Sequence, residues 1–166
     1  MTIVSANLVE SPDWGRRPLL LTGTTAMAVS LFGLSALYAT AGPALAAGGA
    51  GAIGAQAGVI ALLFMFVGGY QIGFGPITWL VLSEIFPAAV RSPAMSIGTL
   101  LNFGSNYAVG TLFELERVQV GEPVLFAFFG GVSLLALLFI YTKVPETRGL
   151  SLEQIEEKLK GGGPLS

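Results

Sequence analysis

GFGPITWLVLSEIFPAAVR, residues 73–91, is the stretch that decides the fold. It closes an uncharged apolar run with a Gly-Pro break, a tryptophan and then an abrupt charged end at Glu84 and Arg91. Working back from it, no Asp, Glu, Lys or Arg occurs between positions 18 and 83. A soluble helix or strand of that length would need a solvated face somewhere along it. Lipid is the solvent that tolerates such a run, so the stretch reads as a membrane helix built around a site.

Composition gives the same class. Hydrophobic residues make up 53% of the 166 positions and charged ones 11%, against roughly a quarter charged in an ordinary soluble domain. The mean hydropathy is +0.75. A net charge of -2 with no basic patch argues against nucleic acid as a partner and leaves the bilayer as the first one. Without cysteine there is no disulfide framework or thiolate nucleophile, and without histidine no imidazole base or common metal ligand. No cofactor, metal or catalytic residue is expected, and the chain does not read as an enzyme.

Four segments are long enough to cross roughly 30 Å of hydrocarbon at about twenty residues each. They are residues 19–41, 59–82, 93–113 and 123–143. The expected fold is therefore an all-α transmembrane bundle over residues 18–143, with an entry segment at 1–17 and a tail at 144–166. Arg16 and Arg17 precede an apolar run too long for a signal-peptide core, so the first segment is expected to stay in the membrane. AGPALAAGGAGAIGAQ, residues 41–56, has no periodicity and reads as a flexible loop. Of the eight basic residues, only Arg117 falls on the opposite side of a four-span chain from the rest. The positive-inside rule then puts both termini and the loop after Glu84 on the cytoplasmic side, or on the stromal side of a plastid membrane.

Two stripes of polar and small residues interrupt the apolar helices. Gln71, Gly75 and Trp79 recur at intervals of four, which places them on one face of a regular helix, and Pro76 removes a backbone hydrogen bond beside Gly75. Gly-Pro kinks occur in purely structural membrane helices, but irregular backbone with polar neighbours is also how transporters build midplane sites. Gly75 and Pro76 are the expected hinge. In the third segment Gly98, Asn102, Asn106 and Gly110 repeat the same spacing. Two asparagines in hydrocarbon need partners, either across helices or on a polar ligand. Ser92 and Pro93 read as the N-cap and first turn of that helix.

At these residues the chain resembles a known family. GPITWLVLSEIFPAAVRSPAMS, then LLNFGSNY, then VPETRGLSLEQIEEKL resemble the closing part of the sugar porters of the major facilitator superfamily, and DWGRRPLLLTG is similar to the entry to their ninth helix. The matches keep the family's order and spacing from about residue 13 to residue 159. YQIGFGPITW and LLNFGSN are similar in particular to the xylose-symporter-like group of plant and algal plastids.

The resemblance implies transport of a monosaccharide, hexose or pentose, by alternating access, facilitative or proton-coupled, in a plasma membrane or plastid envelope. It implies that Tyr70, Gln71, Gly75 and Trp79 line the sugar path, with Trp79 stacking on the sugar, and that Asn102, Phe103 and Asn106 add contacts from the next helix. Phe103 stands where many members carry Trp. It further implies that Arg16, Arg17, Glu84, Arg91, Glu146 and Arg148 form the salt-bridge network that locks the two halves of such transporters. Pro12, Asp13, Ser92 and Pro93 depart from the usual pattern around that network.

Ser151 and Gln154 have the spacing of a capping box, followed by an apolar stripe at Leu152, Ile155 and Leu159, so the tail is expected to carry a short amphipathic helix. Sugar porters have twelve spans, and the resemblance covers the last four. The expectation is thus a truncated transporter, a partial gene product or one fragment of a split protein, whose partners are the missing N-terminal spans. The alternative is a membrane fragment that associates with a full-length carrier and regulates it without transport of its own.

Overall fold

The computed structural model describes residues 15–49, 52–149 and 154. The described residues form α1 (Arg16–Ala47), α2 (Ile53–Gly69), a π-helical turn (Tyr70–Phe74), α3 (Gly75–Ile85), α4 (Ala88–Val120) and α5 (Glu122–Lys143). The all-helical bundle expected from composition is what forms. Backbone amides in lipid have no water to bond, and a helix satisfies them within one segment.

Among the described residues, three stretches are long and apolar enough to cross a membrane: α1, the run Ile53–Ile85, and α5. α4 is the longest single helix at 33 residues, but its asparagines and charged end keep its apolar content below that of the other three. α1 is the hub. It packs against α2, the π turn and α5, and the core joins Leu19 and Leu20 of α1 to Ile77 and Val81 of α3 and Ile140 of α5. Further along, Ser35 Oγ donates to the Pro123 carbonyl at 2.7 Å and Tyr38 stacks on Phe126 at 5.5 Å.

Glycine sets how closely α1 meets the second span. A Cβ at Gly23 would lie 2.5 Å from the Gly69 carbonyl oxygen, and one at Gly73 the same distance from that of Leu19. Only bare backbone fits. The gain is van der Waals contact between main chains, the usual source of helix association in lipid.

Three boundaries differ from the sequence reading. The segment read as a loop at 41–56 is mostly helix: α1 runs through Pro43 to Ala47 and α2 starts at Ile53. Alanine is the best helix former, so an Ala-rich stretch continues the ladder until Gly48 and Gly49, at φ +69° and +86°, turn the chain. α4 begins at Ala88 with Pro87 as N-cap, not at Ser92, and Pro93 lies inside the helix. Pro87 has the extended ψ of a cap, and Pro93, the sixth residue of α4, lies just past the four amides that a helix start leaves unpaired.

The Gly75-Pro76 break is the third difference. Instead of a simple kink, the turn ahead of it widens to π geometry, and the Gly75 amide donates to the carbonyl of Tyr70, five residues back. Proline cannot donate and its ring crowds the preceding turn, and one extra residue in that turn relieves both. The register slips by one position. Tyr70, not Gln71, now stands over Gly75, with its ring 3.1 Å from where a Cβ would be. The amphipathic helix expected from Ser151 lies, apart from Gln154, outside the described residues.

Candidate functional site

The π turn and α3 form one wall of a cavity of about 590 Å³, and α4 forms the other. Tyr70, Gly75, Thr78 and Trp79 line the first wall, and Gly98, Asn102 and Asn106 the second. Met27 reaches in from α1. The expected residues Tyr70, Gly75, Trp79, Asn102 and Asn106 are thus brought together around one space. Gln71 and Phe103 are not among its lining residues. The slip in the π turn carries Gln71 off this face, and Phe103, 68% exposed, lies along a separate groove on α4 with Ser92 and Thr99.

The asparagines are held along α4. Asn106 Nδ2 donates to the Asn102 carbonyl at 2.9 Å and approaches Asn102 Oδ1 at 3.4 Å. One turn of helix so presents two amides that donate and accept, opposite the half-buried Trp79 ring. Aromatic face on one side and neutral amides on the other suit a ligand with C–H bonds on one face and hydroxyls at its rim.

A second polar cluster sits at the end where α1 and α3 meet the end of α5. α1 has no cap of its own, since Gly15 has no side chain. Glu146 supplies one from 130 residues away: its carboxylate oxygens accept the Arg16 and Arg17 backbone amides at 3.0 and 3.1 Å, and Oε1 also accepts the Arg148 amide at 3.0 Å. A negative charge there complements the positive end of the helix. Arg17 reciprocates, with Nη2 donating to the Tyr141 carbonyl at 2.5 Å and the guanidinium 5.5 Å from the Tyr141 ring centre. Each helix satisfies orphan groups of the other.

Glu84 ties α3 into the cluster. Its Oε1 accepts Arg16 Nη2 at 3.3 Å, with both side chains about one-fifth exposed. Its Oε2 accepts the Thr147 hydroxyl at 2.5 Å. Thr147 is a member that sequence reasoning missed, although its position between Glu146 and Arg148 is a signal in itself. Arg91 donates through Nε to the Phe86 carbonyl at 3.2 Å, bracing the α3–α4 break. At the far end Arg117 pairs with Glu122 at 3.7 Å across the α4–α5 turn, well exposed to solvent. Arg16, Arg17, Arg91 and Lys143 thus lie at the opposite end of their helices from Arg117, and Arg148 follows α5 at that same end.

Residues 1–159 match the family described as Sugar (and other) transporter. The D-xylose-proton symporter-like 3, chloroplastic, of Arabidopsis thaliana is 45% identical over 161 residues, covering 96% of this chain and 26% of the relative. A facilitated trehalose transporter Tret1-2 homolog of Drosophila sechellia is 42% identical over 61% of the chain and 21% of its own length. The inward-open structure of the xylose transporter XylE from E. coli superposes with a TM-score of 0.76 at 29% identity, over 93% of this chain and 32% of that one. The chain spans about a quarter of the length of the Arabidopsis relative it matches. A family match over almost the whole sequence, on an all-helical bundle apolar enough for lipid, makes this an integral membrane protein that belongs to the sugar (and other) transporter family.

Proposed function

We propose that the chain supplies the C-terminal sugar-lining part of a monosaccharide transporter, hexose or pentose, that works by alternating access, facilitative or proton-coupled. One observation carries this reading: the cavity that sets Trp79 against Asn102 and Asn106. α4 then crosses the membrane as a fourth span, its amide stripe partnered by sugar and by helices of the remaining spans. No Asp or Glu lies within α1, α2 or the π turn, so a coupling carboxylate, if the carrier is a symporter, belongs to another part of it.

Around the cavity Gly75 and Pro76 form the hinge, and the Arg16, Arg17, Glu84 and Glu146 cluster is the cytoplasmic latch. Its charges bias a two-state equilibrium by a few kcal/mol when neighbouring elements bring or remove partners. Both termini face the cytoplasm, or the stroma if the membrane is a plastid envelope.

The test is D-xylose uptake by a full-length carrier in which this chain replaces the matching stretch of the Arabidopsis relative. Trp79→Ala removes a large ring from the cavity and is expected to cost about 1 to 3 kcal/mol of sugar affinity. Asn102→Leu is expected to cost a comparable amount by burying a sugar hydroxyl without a partner. Normal uptake by Trp79→Ala, with normal surface expression, rejects this cavity as the sugar site.

A further inference from the structure

A hydroxyl on a membrane helix ordinarily bonds the carbonyl one turn back, because no water is at hand to take its proton. This chain follows the rule on α1, α4 and α5: Thr22, Thr25, Thr40, Thr99, Thr111 and Thr142 each donate to the carbonyl four residues earlier at 2.7–3.0 Å. Two threonine hydroxyls among the described residues, those of Thr24 and Thr78, are buried with no partner. Their surroundings differ. Thr24, 1% exposed, is packed in α1 and is not among the residues lining the Trp79 cavity. Thr78 lines that cavity on the α3 wall, next to Trp79, with Asn102 and Asn106 on the α4 wall.

The carbonyl four residues before Thr78 belongs to Phe74, where the π turn ends. The distorted turn and the unused hydroxyl therefore occur at one place. Threonine in a helix holds more than one staggered χ1 position, and a turn of about 120° brings Oγ1 to the position the methyl group held. As placed, the hydroxyl is shut away without a partner, although the residue that carries it lines the cavity. A buried polar group left unsatisfied beside a cavity calls for a partner from outside the protein.

We propose that Thr78 is a specificity-determining contact for the sugar, its Oγ1 pairing with one ring hydroxyl of a neutral monosaccharide held between Trp79 and Asn102. The proposal rests on the reading of the cavity as the sugar site. A threonine hydroxyl both donates and accepts, so it matches a sugar hydroxyl in either sense. It discriminates by presence: a sugar lacking that hydroxyl leaves Thr78 without its partner.

The test uses the 166-residue chain in lipid nanodiscs, with D-xylose as the probe and saturation-transfer NMR titration as the readout. Thr78→Val keeps the shape and removes the hydroxyl, and it is expected to weaken D-xylose binding about tenfold. Thr78→Ser keeps the hydroxyl and should retain most of the affinity. Thr24→Val is the control. Both valine variants are expected to raise the midpoint of thermal unfolding, since each deletes an orphan hydroxyl, but only Thr78→Val should change sugar binding. Across a series of monodeoxy xyloses the Thr78→Val penalty should vanish for one member alone. If Thr78→Val binds like the unmodified chain while Trp79→Ala loses the sugar, the role of Thr78 is overturned and the cavity stands. If Trp79→Ala also binds normally, or the unmodified chain does not bind, the cavity reading falls and Thr78 with it.

Discussion

In the proposed site, Trp79 and the Asn102–Asn106 pair would divide the work of holding a polyol. The indole offers a flat apolar surface and the amides offer hydrogen bonds already oriented by their bond along α4. Pre-orientation lowers the entropy a ligand must remove on binding. The chain carries two tryptophans, Trp79 and Trp14. Binding against the indole should therefore quench a fluorescence signal that disappears in Trp79→Phe and persists in Trp14→Phe, and quenching that follows Trp14 would mean the binding face has been drawn wrongly. Much of this site could be read from residue spacing. Asn102 and Asn106 share a face of an uninterrupted α-helix, where counting by four works. Gln71 was placed by the same count and does not line the cavity, because the count presumes 3.6 residues per turn and the π turn inserts one more. Pro76 marks that the helix is disturbed. Nothing in the local sequence says whether the turn before it opens, tightens or unwinds.

Between elements, α1 and α5 hold each other by their ends. Glu146 caps the start of α1 and Arg17 takes a carbonyl at the end of α5, so removing either leaves helix-end groups unpaired. Gly15 makes the docking possible, since a Cβ there would fall on the Glu146 carboxylate. Glu146→Ala is expected to lower the stability of the chain in detergent by about 1 to 3 kcal/mol, through the loss of bonds to a charged acceptor. Gly15→Ala should do similar damage by evicting the same carboxylate. The double variant should then cost little more than either single one, and additive losses would show that Gly15 and Glu146 act separately. The family resemblance gathers these charges at one end of the bundle. That Glu146 serves backbone amides rather than a guanidinium is a fact of tertiary geometry, as is the role of Thr147. The helical stretch at 41–47 escaped the sequence reading for another reason: Gly- and Ala-rich composition signals a linker in water, whereas lipid drives the same residues to complete their hydrogen bonds as helix.

At the scale of the molecule, the described basic residues Arg16, Arg17, Arg91 and Lys143 sit at or near the start of α1, the start of α4 and the end of α5, Arg148 follows α5, and Arg117 sits near the far end of α4. A tag before Met1 and another after Ser166 should both resist reagents added outside intact cells, and a cysteine introduced at Gln119 should be labelled by them. Opposite accessibility of the two tags would end the four-span topology. The same arrangement leaves α4 with little cover: Leu100, Leu101, Phe103 and Tyr107 are all largely exposed, and Asn102 and Asn106 stand beside them. Apolar side chains there are at ease in lipid, but amides are not, and in a bilayer they demand polar partners. A half-open cavity of this kind can hold a sugar from one side only. Alternating access needs a second wall that moves relative to the first, so that the site opens to each side of the membrane in turn. The purified 166-residue chain in liposomes is therefore expected to show no saturable uptake of D-xylose, and its binding should be no tighter than about millimolar, near -4 kcal/mol. Supplying the preceding spans of the Arabidopsis relative as a separate polypeptide should restore uptake and protect α4 from lipid-phase labelling at Leu100 and Tyr107. Concentrative uptake by this chain alone would require it to build both walls by itself, through copies of one another, and would replace the picture of a C-terminal part with that of a small oligomeric carrier.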